Sequence, residues 1–208
     1  MKRLLAAFTL ISSAVAFTAS LASSASDLAA CVRASQQSKD AEGIALCTRA
    51  INDGSLNPTA RVVAYSTRGN IHLRNGQFDE AVADFTEVIG LSPGSSGGYV
   101  QRALVYAQKG EIDRAFSDYN MAVRVNPRNP TAYVARGLAY LKAGNYDAAI
   151  SDYNVALTAS PSPADWHYGR GVAKIKSGNP SEGNADIAEA IKRDPRIAEK
   201  MARVGVTP

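Results

Sequence analysis

The sequence predicts an all-α solenoid of stacked helical hairpins, and two observations carry that prediction. Proline recurs at Pro93, Pro127, Pro161 and Pro195, a step of 34 residues held three times running. Arginine keeps the step at Arg68, Arg102, Arg136 and Arg170, glycine at Gly76, Gly110, Gly144 and Gly178, and aspartate at Asp84, Asp118, Asp152 and Asp186. A repeat of this length is one supersecondary unit stacked on copies of itself.

The spacing inside the unit says what it is. Tyr133, Gly137, Tyr140 and Leu141 follow one another at helical steps, and Ala143-Gly144-Asn145 then breaks the pattern. A second stripe runs through Tyr146, Ala149, Ile150, Tyr153, Ala156 and Leu157 until Ser160-Pro161 ends it. Proline disfavours helix for the residue before it and has no N–H for the ladder. Each copy is therefore a helix–turn–helix hairpin.

In chain order, Met1-Lys2-Arg3 precedes an uncharged run from Leu4 to Leu21 with small residues after it, the form of a secretory signal. Segment 1–25 is assigned to that signal, with cleavage expected after Ala25 and Ala22 as the alternative. Residues 26–208 form the solenoid: a degenerate hairpin at 26–57, repeats at 62–95, 96–129, 130–163 and 164–197, and a closing helix at 196–204. In the degenerate copy Cys31 and Cys47 occupy the two helices, Ala34 stands where arginine stands elsewhere, and the turn falls near Lys39. The caps Asn57-Pro58, Asn129-Pro130 and Ser162-Pro163 should start helices cleanly. Two glycines after Gly94-Ser95-Ser96 should make the helix that carries Val100 and Leu104 begin late or show raised mobility. Ile197, Met201 and Val204 should form the buried stripe of the closing helix, with Gly205 stopping it.

The pattern resembles the tetratricopeptide repeat. Small residues stand where that family's helices cross: Gly69, Ala103, Gly137 and Gly171 in first helices, Ala81, Ala115 and Ala149 in second ones. Phe78 and Tyr146 open second helices, and Phe85, Tyr119 and Tyr153 follow within them; Ala122-Val123 with Pro127 and Ala156-Leu157 with Pro161 match the family's closing pattern. The resemblance implies a right-handed superhelix whose inner face is lined by first helices, and so a non-catalytic scaffold for another protein or peptide segment. The family's groove positions fall on Ser66, Asn70 and Arg74; Val100, Leu104 and Gln108; Val134, Leu138 and Lys142; and Tyr168, Val172 and Lys176. This surface reads as apolar along its middle and basic along one rim, either a groove for a partner or a face that tight curvature or the C-terminal segment covers. The family's clamp for acidic C-terminal tails needs a lysine where Ser66 stands, so such a tail is not the expected ligand.

Chemistry beyond binding has little support. His72 and His167 lie 95 residues apart and out of register, which argues against a metal pair, and His72 takes a place held by Tyr106 and Tyr140. No nucleophile elbow, phosphate loop or zinc motif is present, so neither catalytic residues nor a cofactor is expected. The eight periodic arginines and aspartates read as pairs that tie helices together, since a catalytic site has no use for the same pair in every repeat.

Cys31 and Cys47 lie about equally far from the expected turn, and in an exported chain they read as one disulfide. Leu28-Ala29-Ala30-Cys31 also has the form of a lipoprotein box, which would lipidate Cys31; Asp27 interrupts the apolar run such a signal needs. The net charge is +4, and loss of Lys2 and Arg3 takes the 23 basic residues to 21 against 19 acidic. These interleave along the helices, which argues against nucleic acid as a partner. The expected location is periplasmic or secreted, with no membrane insertion after cleavage; self-association into a homo-oligomer is the competing use of the groove.

Overall fold

The computed structural model describes residues 23–208, and the proposed signal segment up to residue 22 lies outside them. The described residues are helical throughout, without a strand. A first helix, α1, covers 23–36. It is followed by α2 (Asp40–Asp53), α3 (Pro58–Arg74), α4 (Phe78–Leu91), α5 (Ser96–Lys109), α6 (Ile112–Val125), α7 (Pro130–Lys142), α8 (Tyr146–Ala159), α9 (Ala164–Lys176), α10 (Pro180–Arg193) and α11 (Ile197–Arg203). The chain divides into two compact units, one up to Pro93 and one from Gly94. The first holds the hairpins α1–α2 and α3–α4. The second stacks three hairpins, α5–α6, α7–α8 and α9–α10, and ends in α11.

The hairpin turns share one geometry. Gly144 has φ +80°, its N–H donates to the Leu141 carbonyl, and the next N–H, of Asn145, reaches back to the Tyr140 carbonyl at 2.9 Å. The left-handed residue closes α7 by supplying donors to carbonyls that the helix end leaves bare. Gly76, Gly110 and Gly178 repeat this at their own turns. The first hairpin makes the same turn with Ser38, at φ 55°, and Lys39 N–H donating to the Ala34 carbonyl.

Ser38 and Gly76 are 38 residues apart rather than 34, and α3 explains the difference. It runs 17 residues where α5 runs 14 and α7 runs 13. The added turn sits at its start, capped by Asn57, whose Oδ1 accepts from Ala60 N–H at 2.9 Å. The first hairpin is therefore displaced by one helical turn. In the corrected register Ala30, not Ala34, stands at the arginine position, Leu46 at the aspartate position, Cys31 at the small-residue position and Cys47 at the aromatic one.

Three other expectations are revised. The helix α5 starts at Ser96, the counterpart of Pro130 in α7, so its glycines do not delay it. They fall in the first turn, where N–H groups lack helical partners in any case, and Gly98 is buried. At α9 the cap is Pro163 itself, and the Ser162 side chain makes no cap bond, whereas Asn129 does cap α7 through Thr131 N–H. At the C-terminus Ile197 and Met201 are buried as expected, but Val204 is 47% exposed and Val206 takes its place at 1%. Gly205, at φ +76°, turns the chain so that Val206 N–H donates to the Met201 carbonyl and its side chain enters the core.

Candidate functional site

The periodic charges are structural. Arg136 Nε and Nη2 each lie 2.8 Å from one oxygen of Asp152, bridging α7 and α8 within one hairpin. Arg68–Asp84, Arg102–Asp118 and Arg170–Asp186 form the same two-pronged contact. In α7 and α9 the remaining guanidinium nitrogen reaches the preceding hairpin: Arg136 Nη1 to Asn120 and Arg170 Nη1 to Asn154, both at 2.9 Å. One side chain thus fixes a hairpin and, in the same plane, its neighbour. The hydrogen bond to Asp152 holds the Arg136 guanidinium above its ordinary range despite desolvation. Burial pushes the Asp186 carboxyl up, but hydrogen bonds from Arg170 and Lys174 outweigh it and leave the group below its ordinary range.

The histidines are packing residues. His72 Nδ1 pairs with Gln77 Oε1 at 3.0 Å, and His167 Nε2 with the Pro161 carbonyl at 2.8 Å. Among the described residues no three histidine, cysteine or acidic side chains are grouped to hold a metal ion. Cys31 and Cys47 are joined, fully buried, with Cα atoms 5.2 Å apart.

The groove residues divide. Ser66, Asn70 and Arg74 lie on α3, in the first unit. Arg74 is not a free rim charge: its Nη2 sits 2.7 Å from Asp40 Oδ1. On α9, Tyr168 and Val172 are buried in one core with Ile197, Met201 and Val206, so they are not an open floor. Here α11 leans onto α9 and covers the positions that an inner face would present. Val100 is buried as well, and Val134 is half-buried against the same core. Lys176 and Lys142 are exposed and share a cavity of about 620 Å³ with the tail 204–207.

Leu104, Gln108, Leu138 and Lys142 converge. They border an apolar cavity of about 390 Å³ between the α5–α6 hairpin and α7. Its other walls are Ala107 of α5, Ile112, Ala115, Phe116 and Tyr119 of α6, Ala135 and Ala139 of α7, and Ala143 just after it. Phe116 closes one side by stacking on Tyr140, ring centroids 4.9 Å apart. Burial pushes the Tyr119 phenol up to about 12, so it stays neutral in the wall. Ile112 is 48% exposed at the mouth of this space. Lys142 is exposed and has no ion pair among the described residues. With a volume in the range of ligand pockets, apolar walls and one unpartnered cation, this cavity can take an apolar group beside an acidic one.

The sequence reading missed Ala107, Ile112 and Phe116. One signal was available: the position of Ala107 is held by Leu73, Leu141 and Ile175 in the other full copies.

Comparison with known proteins agrees with this architecture. Residues 66–130 and 100–164 match the tetratricopeptide repeat family, and that stretch carries repeats of its kind. No curated protein sequence matches the chain. Solved structures that resemble it include a tetratricopeptide repeat protein from Parabacteroides merdae, with 22% identity, a TM-score of 0.69, and coverage of 88% of this chain and 74% of that one. TTC0263, a tetratricopeptide protein of Thermus thermophilus, has 21% identity and a TM-score of 0.66 over 88% of this chain and 97% of its own. YrrB, described as a tetratricopeptide protein with an unusual peptide-binding site, has 19% identity and a TM-score of 0.59 over 81% and 85%. At these identities the likeness shows the fold alone. Tetratricopeptide proteins are generally protein–protein interaction scaffolds and generally non-catalytic.

Proposed function

We propose that the protein is an exported, non-catalytic binding module of a bacterial envelope that holds a segment of another protein against the α5–α7 face. The cavity between α5, α6 and α7 carries this reading, because an unfilled apolar space beside an exposed cation is what an anchoring side chain with an acidic neighbour fits. The peptide-binding site ascribed to YrrB, a protein of like fold, supports the same use. Export is supported by the uncharged run Leu4 to Leu21 and by a fully buried Cys31–Cys47 disulfide, which an oxidising compartment preserves. That burial also favours a disulfide over a lipid on Cys31, and among the described residues no helix is long and apolar enough to cross a membrane. Ser24 is buried and its hydroxyl lies 2.6 Å from that of Ser55. Cleavage after Ala22 keeps this contact, so we place the mature end at Ser23.

Cross-linking in the native compartment tests the function. The parent protein should capture a partner that Leu138→Glu loses while keeping its helical circular dichroism, with the melting temperature lowered by the loss of Leu138 from the core edge. Undiminished capture by a folded Leu138→Glu overturns the reading.

A further inference from the structure

The repeat supplies its own control for the cavity. Shifting Leu104, Ala107, Ile112, Phe116 and Leu138 by one repeat gives Leu138, Leu141, Tyr146, Ile150 and Val172 at the α7–α8–α9 junction. There Leu141 and Val172 are buried, and Leu138, Tyr146 and Ile150 pack against the same core. The space that remains beside Leu141 and Tyr146 is bordered by the chain's own tail, with Val206 seated at 1% exposure. At α5–α6–α7 the leucine is Ala107 and the tyrosine is Ile112, and no segment of the second unit does what the tail does. Phe116 and Leu138 outsize Ile150 and Val172 and return part of that bulk, and the space that stays open is the one bordered by Ala107.

We infer that the cavity is a specificity pocket for a single leucine or phenylalanine side chain of a partner segment, flanked in that segment by an acidic residue that meets Lys142. This deepens the reading above and rests on it. The walls choose the side chain: they are aliphatic and aromatic, with Gln108 and Lys142 as the exposed polar neighbours, so a charged anchor would lose its hydration without a partner. The size is set by Ala107, which stands where the next repeat has Leu141, so the anchor supplies the bulk that a leucine supplies there. Lys142 sets the charge of the neighbour and mainly the association rate.

The probe is a fluorescein-labelled peptide, Gly-Ser-Asp-Glu-X-Ser-Gly-Ser, with X as Leu, Phe, Ala or Lys, titrated by anisotropy at low salt. The Leu and Phe peptides should bind at least about tenfold more tightly than the Ala peptide, the scale of burying such a side chain. They should shift the methyl resonances of Ile112, Leu104 and Leu138 and leave those of Leu73 unmoved. Ala107→Leu, which restores the residue of the next repeat, should fold, melt higher and lose the Leu-over-Ala preference. Lys142→Glu should weaken the Leu peptide several-fold and spare the order of preference. Equal binding of the Leu and Ala peptides, no binding of Leu or Phe at millimolar concentration, or a preference that survives Ala107→Leu overturns the proposal. Partner capture separates it from the broader reading: capture kept by Ala107→Leu but lost by Leu138→Glu sinks the pocket alone, and capture kept by both sinks the two together.

Discussion

The hairpins α1–α2 and α7–α8 close the same helical crossing with opposite chemistry. In α7–α8, Gly137 lets α8 approach until a Cβ on it would sit 3.2 Å from Asp152 Cβ and 3.6 Å from the Tyr153 ring, and Arg136 clamps Asp152 alongside. In α1–α2 the glycine and the aromatic are replaced by Cys31 and Cys47, and the arginine and aspartate by Ala30 and Leu46, which join the disulfide in one small core. A covalent link does the work of shape fit, and an apolar pair does the work of an ion pair. The difference shows that position, not charge, is what the crossing demands. It also shows that the terminal hairpin is secured through its unfolded state, since a cross-link chiefly restricts the denatured chain.

The largest expected effect separates the two solutions. Replacing both cysteines with alanine should cost about 3 kcal/mol, the loop-closure value for a span of this size. The loss should be local: amide exchange should accelerate in α1 and α2 while α7 and α8 stay protected. Uniform acceleration across both units would mean that the disulfide supports more than its own hairpin.

A smaller effect is expected from exchanging one solution for the other. Asp152→Ala leaves the Arg136 guanidinium short of its bidentate partner and should cost about 2 kcal/mol, below the full penalty for a buried charge because Arg136 keeps some solvent and its bond to Asn120. The double change Arg136→Ala with Asp152→Leu imitates Ala30 and Leu46 and should recover at least half of that loss, since apolar replacement of a buried pair is often near neutral. Chemical denaturation with both variants decides it. A double variant worse than the single would show that Arg136 also holds the neighbouring hairpin through Asn120.

How much of this could be read from the chain follows from what a repeat hides. The 34-residue step fixed the hairpins, and the sixteen-residue spacing of arginine and aspartate within each copy anticipated their pairing. The extra turn of α3 stayed invisible because four added residues keep a helical stripe in phase, so nothing in the periodicity marks the insertion. That is why Ala34 was read at the arginine position. For Tyr168 and Val172 the sequence left two readings open, an open groove or cover by the C-terminal segment, because the outcome depends on where α11 leans, which is a tertiary choice. The exchange of Val204 for Val206 turned on one left-handed residue, Gly205, which reverses the chain and so redirects the side chains after it. The cavity, by contrast, was written in the sequence as an alanine among leucines.

The smallest effect tests the one turn where the first hairpin departs from the others in backbone instead of side chain. Ser38 holds φ 55°, a left-handed conformation that glycine supplies at Gly76, Gly110, Gly144 and Gly178. For a residue with a Cβ that conformation costs about 1 kcal/mol or more, and glycine repays part of the gain by losing more freedom on folding. Ser38 is exposed, so its hydroxyl takes no buried contact with it when removed. Ser38→Gly should therefore stabilise the first hairpin by about 0.5 kcal/mol, visible as a rise of about 1–2 °C in the melting temperature of the reduced protein, where the disulfide no longer masks the turn. An unchanged or lower melt would show that serine at this turn carries no strain, and that the only concession of the first hairpin lies in its crossing.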